Sequence, residues 1–157
     1  SRRTLMLALL VTMVRVYGAF IEAPLPGAEG VLLVEQMQVE FRSWGIPLFA
    51  VASMVPFVCG MATGLAIGFV GASFPIVMSV MGPEPSTRVM FSTIVLAFGS
   101  GFMGMILSPV HICLIVSNQH FETGMTRSLT GLLGPAAVVL VFTVVYSRFV
   151  SVFLGLI

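Results

Sequence analysis

The chain has 157 residues, of which 58% are hydrophobic and only 8% are charged, with a net charge of +1. So few charges cannot cover the surface of a soluble domain, and the mean hydropathy is high, at +1.12. Both properties predict an integral membrane protein. The nearly balanced charge gives no indication of a nucleic-acid partner. Cys59 and Cys113 both lie in apolar stretches, which predicts buried free thiols and no disulfide.

Residues 5–21 predict a first membrane-spanning helix, which begins after Arg2 and Arg3 and ends before Glu22. Arg15 lies inside this apolar segment, where an arginine is expected to face other protein or a water-filled cavity. A signal peptide fits poorly for the same reason, and the missing initiator Met leads us to expect a fragment or a processed chain.

Residues 28–44 predict an amphipathic helix that lies in the membrane interface. Leu33, Met37 and Phe41 recur at helical spacing, and glutamate and glutamine side chains occupy much of the remaining surface. Trp44 ends the segment, at the level that aromatic side chains prefer among lipid headgroups.

Residues 45–82 contain no charged residue and predict two apolar helices joined between Cys59 and Gly64. Each arm would be about 27 Å long as a helix, so the length fits either two full crossings or a re-entrant hairpin. Gly60, Gly64 and Gly68 are four residues apart, a pattern that lets helix backbones approach closely.

Residues 89–121 also lack charged residues and predict a helix that is broken in mid-membrane. Pro109 has no N–H to donate and its ring clashes with the preceding turn, so the helix must break at Ser108 and Pro109. Lipid leaves the freed carbonyls unsatisfied, so such a break persists only inside protein or beside a watery cavity. His111 lies next to these carbonyls, a combination typical of a transporter binding site.

Residues 132–153 predict the last span, with Pro135 near its start and Arg148 inside it, after a loop over residues 122–130. Alternating the loops across the membrane places three arginines on each side. The positive-inside rule therefore leaves the orientation open.

Several polar groups lie at the predicted membrane depth, and each has a functional and a packing interpretation. As a binding site, half-helix ends offer N–H groups to an anion and carbonyls to a cation, and His111 donates to an anion or carries a proton. As packing, the hydroxyls bond back to their own helices and the proline only kinks its helix. The candidate solute and ion ligands are Thr63, Gly64, Ser73, Ser108, Pro109, His111 and Asn118.

Metal binding and catalysis find little support in the sequence. His111 and His120 match no zinc-ligand spacing. Ser108 lies three residues before His111, but the apolar segments hold no acid to orient the imidazole of a nucleophilic enzyme. We expect no enzyme, no cofactor and no metal site, apart from a candidate Na+ site at Thr63, Gly64 and Ser108.

Three runs of the sequence resemble the C-terminal half of a prokaryotic integral-membrane family of unknown function. They are residues 56–64 (Pro-Phe-Val-Cys-Gly-Met-Ala-Thr-Gly), 68–75 (Gly-Phe-Val-Gly-Ala-Ser-Phe-Pro) and 101–118, in which the Ser-Pro-Val-His block beginning at Ser108 is the most specific part. The family is grouped with the ion-transporter superfamily, alongside carriers of dicarboxylates, citrate, gluconate and arsenite. The resemblance covers nearly the whole chain from Leu5 onward.

The resemblance implies an all-α membrane protein made of one inverted-repeat unit. Its order is a spanning helix, an interfacial amphipathic helix, a re-entrant helical hairpin, a discontinuous helix and a final spanning helix. The predicted elements follow that order within a single transmembrane domain over residues 1–157, at residues 5–21, 28–44, 45–82, 89–121 and 132–153. By the same resemblance, the hairpin tip and the helix break face one site from opposite sides.

Two departures from the superfamily stand out. The hairpin tip reads Met61-Ala62-Thr63-Gly64, where the dicarboxylate carriers have a Ser-Asn-Thr type of tip. The chain also corresponds to one of the two repeats of a carrier, so transport would need the partner repeat.

The resulting prediction is half of an ion-coupled secondary transporter, a symporter for a small anionic solute, located in the inner cell membrane as a multi-pass protein. The coupled ion would be Na+ or H+. The expected partners are the lipid bilayer, the N-terminal repeat of the same carrier, a second copy in a homodimer and the solute, with no nucleic acid. The alternative is a non-transporting membrane scaffold or subunit, in which the polar breaks serve helix packing.

Overall fold

The structure, a computed structural model, describes residues 8, 9, 12, 16, 19, 39, 40, 43–82 and 84–155. Apart from the connecting turns and loops, these residues are helical, and they include no strand. Their helices, in chain order, are α1 (Leu48–Thr63), α2 (Ala66–Met81), α3 (Thr87–Ile106), α4 (Ile112–His120) and α5 (Met125–Phe153). Most of the predicted span over residues 5–21 and most of the predicted interfacial helix over residues 28–44 lie outside the described residues.

α1 and α2 form a helical hairpin whose turn consists of Gly64 and Leu65. α1 runs through the segment predicted to join the arms and ends where Gly64 adopts a φ of 62°, a left-handed conformation that suits glycine. The Gly64 N–H closes the last turn by donating to the Gly60 carbonyl at 2.9 Å. Leu65 is extended, and α2 begins at the next residue.

α3 and α4 correspond to the broken helix predicted over residues 89–121, although α3 begins two residues earlier, and they are separated by residues 107–111. Shorter-range turns close the end of α3, since the Ser108 N–H donates to the Met105 carbonyl at 3.1 Å and the His111 N–H to the Ser108 carbonyl at 3.2 Å. The break therefore extends over residues 107–111 and not only over Ser108 and Pro109, because these two turns lie between the end of α3 and the start of α4.

α5 begins at Met125, seven residues before the predicted start of the last span. Polar residues suggested a loop there, but the Thr130 hydroxyl donates to the carbonyls of Thr126 and Arg127 at 3.0 and 2.9 Å. A helix can hold such side chains because its own backbone satisfies them. Pro135 lies inside the helix and removes one backbone hydrogen bond without ending it.

α3 is the central helix and packs against α1, α2 and α5. Glycines allow a close crossing of α1 and α3, because a Cβ on Gly60 would overlap the Gly101 carbonyl and one on Gly104 would overlap the Phe57 carbonyl. α5 runs antiparallel to α3, as the Ser147 hydroxyl donates to the Ser92 carbonyl at 2.8 Å. The buried core consists of Ala52, Val77, Leu96 and Ala97.

Many large apolar side chains of α5 are exposed. Examples on its outer face are Val138, Val141, Phe142, Val145 and Phe149. Exposed apolar surface of this extent marks a face that contacts lipid or protein. Among the described helices, α3 and α5 are long and apolar enough to cross a membrane, which on length and composition alone indicates membrane association.

Candidate functional site

Two hydrogen bonds join the turn of the α1–α2 hairpin to the break between α3 and α4. The Ser108 hydroxyl donates to the Met61 carbonyl at 2.7 Å. Nδ1 of His111 lies 2.9 Å from the Gly64 carbonyl oxygen. Each bond joins residues 47 positions apart in the sequence. We call these four residues, Met61, Gly64, Ser108 and His111, the tip–break junction.

Gly64 fits the junction for two independent reasons. Its φ of 62° disfavours any residue with a Cβ. A Cβ built there would also lie 3.0 Å from both the backbone nitrogen of His111 and the carbonyl carbon of Val110. The hairpin turn and the break therefore touch backbone to backbone, and glycine is the residue that permits this contact.

Ser108 satisfies backbone groups on both sides of the junction. Its side chain is fully buried. The hydroxyl donates to the carbonyl of Met61, in the last turn of α1, where carbonyls have no partner within the helix. The same oxygen accepts from the Val110 N–H at 3.3 Å. One hydroxyl thus serves both the end of a helix and the broken backbone beside it.

The bond to Gly64 fixes the proton arrangement of the His111 imidazole. A carbonyl oxygen can only accept, so Nδ1 must carry the hydrogen that it donates to Gly64. In the neutral ring Nε2 is then an acceptor, and it becomes a donor only when the ring takes up a second proton. An anion can therefore accept a hydrogen bond from Nε2 of His111 only when the ring is protonated.

Thr63 adjoins the junction but directs its hydroxyl toward the hairpin itself. The hydroxyl lies 2.8 Å from the Cys59 carbonyl and 3.3 Å from the Leu65 carbonyl, to which it donates. Gly68 of α2 packs against the same side chain, since a Cβ there would lie 2.9 Å from the Thr63 hydroxyl oxygen. Thr63 thus stabilises the turn that presents Gly64 to the break.

The structure places Ser73 and Asn118 away from the junction. The buried Ser73 hydroxyl donates to the Phe69 carbonyl within α2 at 2.6 Å. The Asn118 side-chain oxygen accepts from the hydroxyls of Thr123 and Ser128 at 2.9 and 2.6 Å, which ties the end of α4 to the start of α5. Of the remaining predicted ligands, Pro109 lies within the break and is exposed.

The sequence did not predict Met61 as part of the junction. Met61 contributes its backbone carbonyl, which every residue type has. Sequence reasoning also missed Ser100, which is 1% exposed and whose hydroxyl has no hydrogen-bond partner. In the part of the chain that the structure describes, no three His, Cys, Asp or Glu residues form a group that could hold a metal ion. The junction is therefore built from backbone carbonyls, one hydroxyl and one imidazole.

Over the described residues, the fold and the junction define an all-helical arrangement with two candidate membrane spans and a hairpin turn that contacts a broken helix. Residues 2–150 match the family described as "Protein of unknown function (DUF401)", and the chain belongs to that family. None of the curated proteins and none of the solved structures matches the chain. The resemblance to an uncharacterised family is confirmed, while the relation to the ion-transporter superfamily stays a prediction.

Proposed function

We propose that the chain is one half of an ion-coupled secondary transporter for a small anionic solute, with the tip–break junction at its binding site. The observation that carries this proposal is the bond between Nδ1 of His111 and the Gly64 carbonyl. It joins two interrupted backbone segments, which in lipid would be tolerated only against protein or a watery cavity. The proposed location is the inner cell membrane, with several crossings.

The helix lengths are compatible with a hairpin that enters and leaves the membrane on one side. α1 and α2 have 16 residues each, or about 24 Å of helix. Their turn meets the break, and α4 then continues for nine residues, or about 13 Å. The Ser128 hydroxyl near the start of α5 donates to Asn118 near the end of α4, so the hairpin turn lies part of the way along α5, whose 29 residues extend over about 43 Å. The junction would therefore lie within the bilayer.

We infer that the coupled ion is a proton. The Thr63 and Ser108 hydroxyls and the Gly64 carbonyl, the three candidate Na+ ligands, each already have a hydrogen-bond partner within the protein. His111 has one nitrogen, Nε2, that Gly64 does not engage and that can bind a proton. Protonation turns Nε2 into a donor, so proton uptake and anion binding would occur together.

The test is uptake by the full-length protein in proteoliposomes, with citrate, succinate and gluconate as probes. We expect a pH gradient to drive uptake of one of these anions and a Na+ gradient to leave it unchanged. His111→Asn keeps an amide donor near the position of Nδ1 but cannot carry a proton, so it should fold and lose the pH-driven uptake. His111→Ala should lose both the uptake and the contact with Gly64. Uptake at the wild-type rate in His111→Asn would remove the imidazole from the mechanism.

A second candidate function is a membrane scaffold without transport. It is favoured by the internal bonds of Ser73 and Asn118, whose polar side chains are satisfied within the protein. Cys113, which is exposed and lies five residues after Ser108, distinguishes the two. In a Cys59→Ala background, labelling of Cys113 by a membrane-impermeant maleimide indicates a watery path to the break. An unreactive Cys113, together with no uptake of any probe, supports the scaffold.

A further inference from the structure

A crevice lies between α1, α3 and α5, at the end of the helix bundle where α1 and α3 begin. One of the residues that line it is an arginine, Arg148. The crevice has a volume of about 170 Å³. The polar side chains that line it are Ser92, Thr93, Ser147, Arg148 and Ser151. The remaining lining is apolar and comes mainly from the first turns of α1 and α3. We call this feature the Arg148 crevice; it is separate from the tip–break junction.

The Arg148 side chain is exposed and its guanidinium contacts an aromatic ring. Its central carbon lies 4.9 Å from the centroid of the Phe49 ring, within the range of a cation–π contact. No carboxylate among the described residues pairs with it. A guanidinium that stacks on an aromatic ring keeps N–H donors along its edge, and these match the oxygens of a phosphate in pairs.

Hydroxyl groups surround the same space and fix its shape. The Ser147 hydroxyl donates to the Ser92 carbonyl at 2.8 Å, and the Ser92 hydroxyl donates to the Val89 carbonyl at 3.2 Å, so both are committed to the helices. Thr93 is only 6% exposed and lines the crevice together with Ser151. Neither of these two hydroxyls bonds to another described residue. The crevice thus offers a cation and a hydroxyl from α5, at Arg148 and Ser151, and a second hydroxyl from α3, at Thr93.

The position of the crevice along the helices suits the headgroup region of a bilayer. Arg148 lies five residues before the end of α5, or about 7.5 Å inside it. Ser92 lies five residues after the start of α3, at a matching depth. Arg88 is exposed at the same end of the assembly, next to the start of α3. Arginine at this depth favours the phosphate of a lipid and keeps out a cationic headgroup.

We propose that the Arg148 crevice binds the phosphodiester of an anionic phospholipid. The Arg148 guanidinium donates to the phosphate oxygens and balances their negative charge, and Thr93 and Ser151 donate to the remaining oxygens. The apolar rim formed by Leu48 and Val89 contacts the glycerol and the first acyl carbons. A lipid fits better than free phosphate because this rim would stay exposed beside an inorganic ion. The site is independent of transport and stands whether or not the tip–break junction binds a solute.

The test is the thermal unfolding of the full-length protein in a neutral detergent with added phosphatidylglycerol, phosphatidylcholine or inorganic phosphate. Phosphatidylglycerol should raise Tm in a saturable manner, with smaller shifts from the other two at equal phosphate concentration. Arg148→Gln should weaken the apparent affinity for phosphatidylglycerol about tenfold, the loss expected when a charged hydrogen-bond donor is removed. Thr93→Val, which keeps the shape of the side chain, should weaken it by a smaller factor.

The matched control is Arg127→Gln, an exposed arginine near the opposite end of the same helix. It should leave the phosphatidylglycerol response unchanged. An equal loss in Arg127→Gln, or an equal response to phosphatidylcholine, would overturn the proposal. An equal response to inorganic phosphate would overturn the lipid assignment. If Arg148→Gln does not fold, Arg148→Lys keeps the charge without the planar donors, and unchanged affinity in that variant would contradict the geometry.

Discussion

The Gly64 carbonyl accepts a hydrogen bond of 2.9 Å from Nδ1 of His111, although the two residues lie 47 positions apart. This bond connects a helical hairpin to a proline-broken helix through main-chain atoms on one side and an imidazole on the other. Because the partner on the hairpin side is a carbonyl, the bond survives many side-chain changes in the turn. It depends instead on the close backbone approach that Gly64 allows.

Gly64→Ala should destabilise the protein by more than Gly45→Ala. Both glycines have a positive φ, 62° and 67°, so either alanine costs about 1 kcal/mol of backbone strain. At Gly45 a Cβ meets nothing within 4 Å, whereas at Gly64 it lies 3.0 Å from main-chain atoms of the break. Thermal unfolding in detergent should show a larger drop in Tm for Gly64→Ala. Equal drops would mean that the turn and the break are not in contact.

Ser108→Ala should cost more stability than Ser73→Ala. Both hydroxyls belong to fully buried side chains, but Ser73 donates within its own helix while Ser108 donates to Met61 in another element. Removing the Ser108 hydroxyl leaves the Met61 carbonyl and the Val110 N–H without this partner, for a loss of about 2 kcal/mol against roughly 0.5 kcal/mol at Ser73. Chemical denaturation of the two variants in mixed micelles checks the order, and the reverse order would contradict the junction.

The sequence predicts the parts of the junction better than their contact. Pro109 predicts the break and Gly64 predicts the turn, because proline and glycine each restrict or permit particular backbone conformations at their own position. The pairing of Ser108 with the Met61 carbonyl is a tertiary contact with no local signature, and only the resemblance suggested that the two segments face each other. The early start of α5 was missed because the hydroxyl of Thr130 is satisfied inside the helix.

Gly104→Ala should be one of the most destabilising single substitutions in the described part of the chain. A Cβ on Gly104 overlaps the Phe57 carbonyl, a backbone group that cannot move without separating α1 from α3. We expect a loss of about 3 kcal/mol, as for an overpacked core. Gly131→Ala in α5 is the control, since a Cβ there meets nothing within 4 Å and alanine favours the helix by about 1 kcal/mol. Tm should fall in the first variant and rise in the second.

Ser100→Ala should stabilise the protein, in contrast to most substitutions at buried positions. The Ser100 hydroxyl is buried and has no hydrogen-bond partner, and such a group costs about 1 to 3 kcal/mol. Ser53, which lines the same groove between α1 and α3, instead donates to the Phe49 carbonyl at 2.9 Å. Ser53→Ala should therefore lower Tm slightly while Ser100→Ala raises it. A lower Tm in the full-length protein for Ser100→Ala would show that the hydroxyl has a partner there, which would place another part of the protein or a bound molecule against this groove.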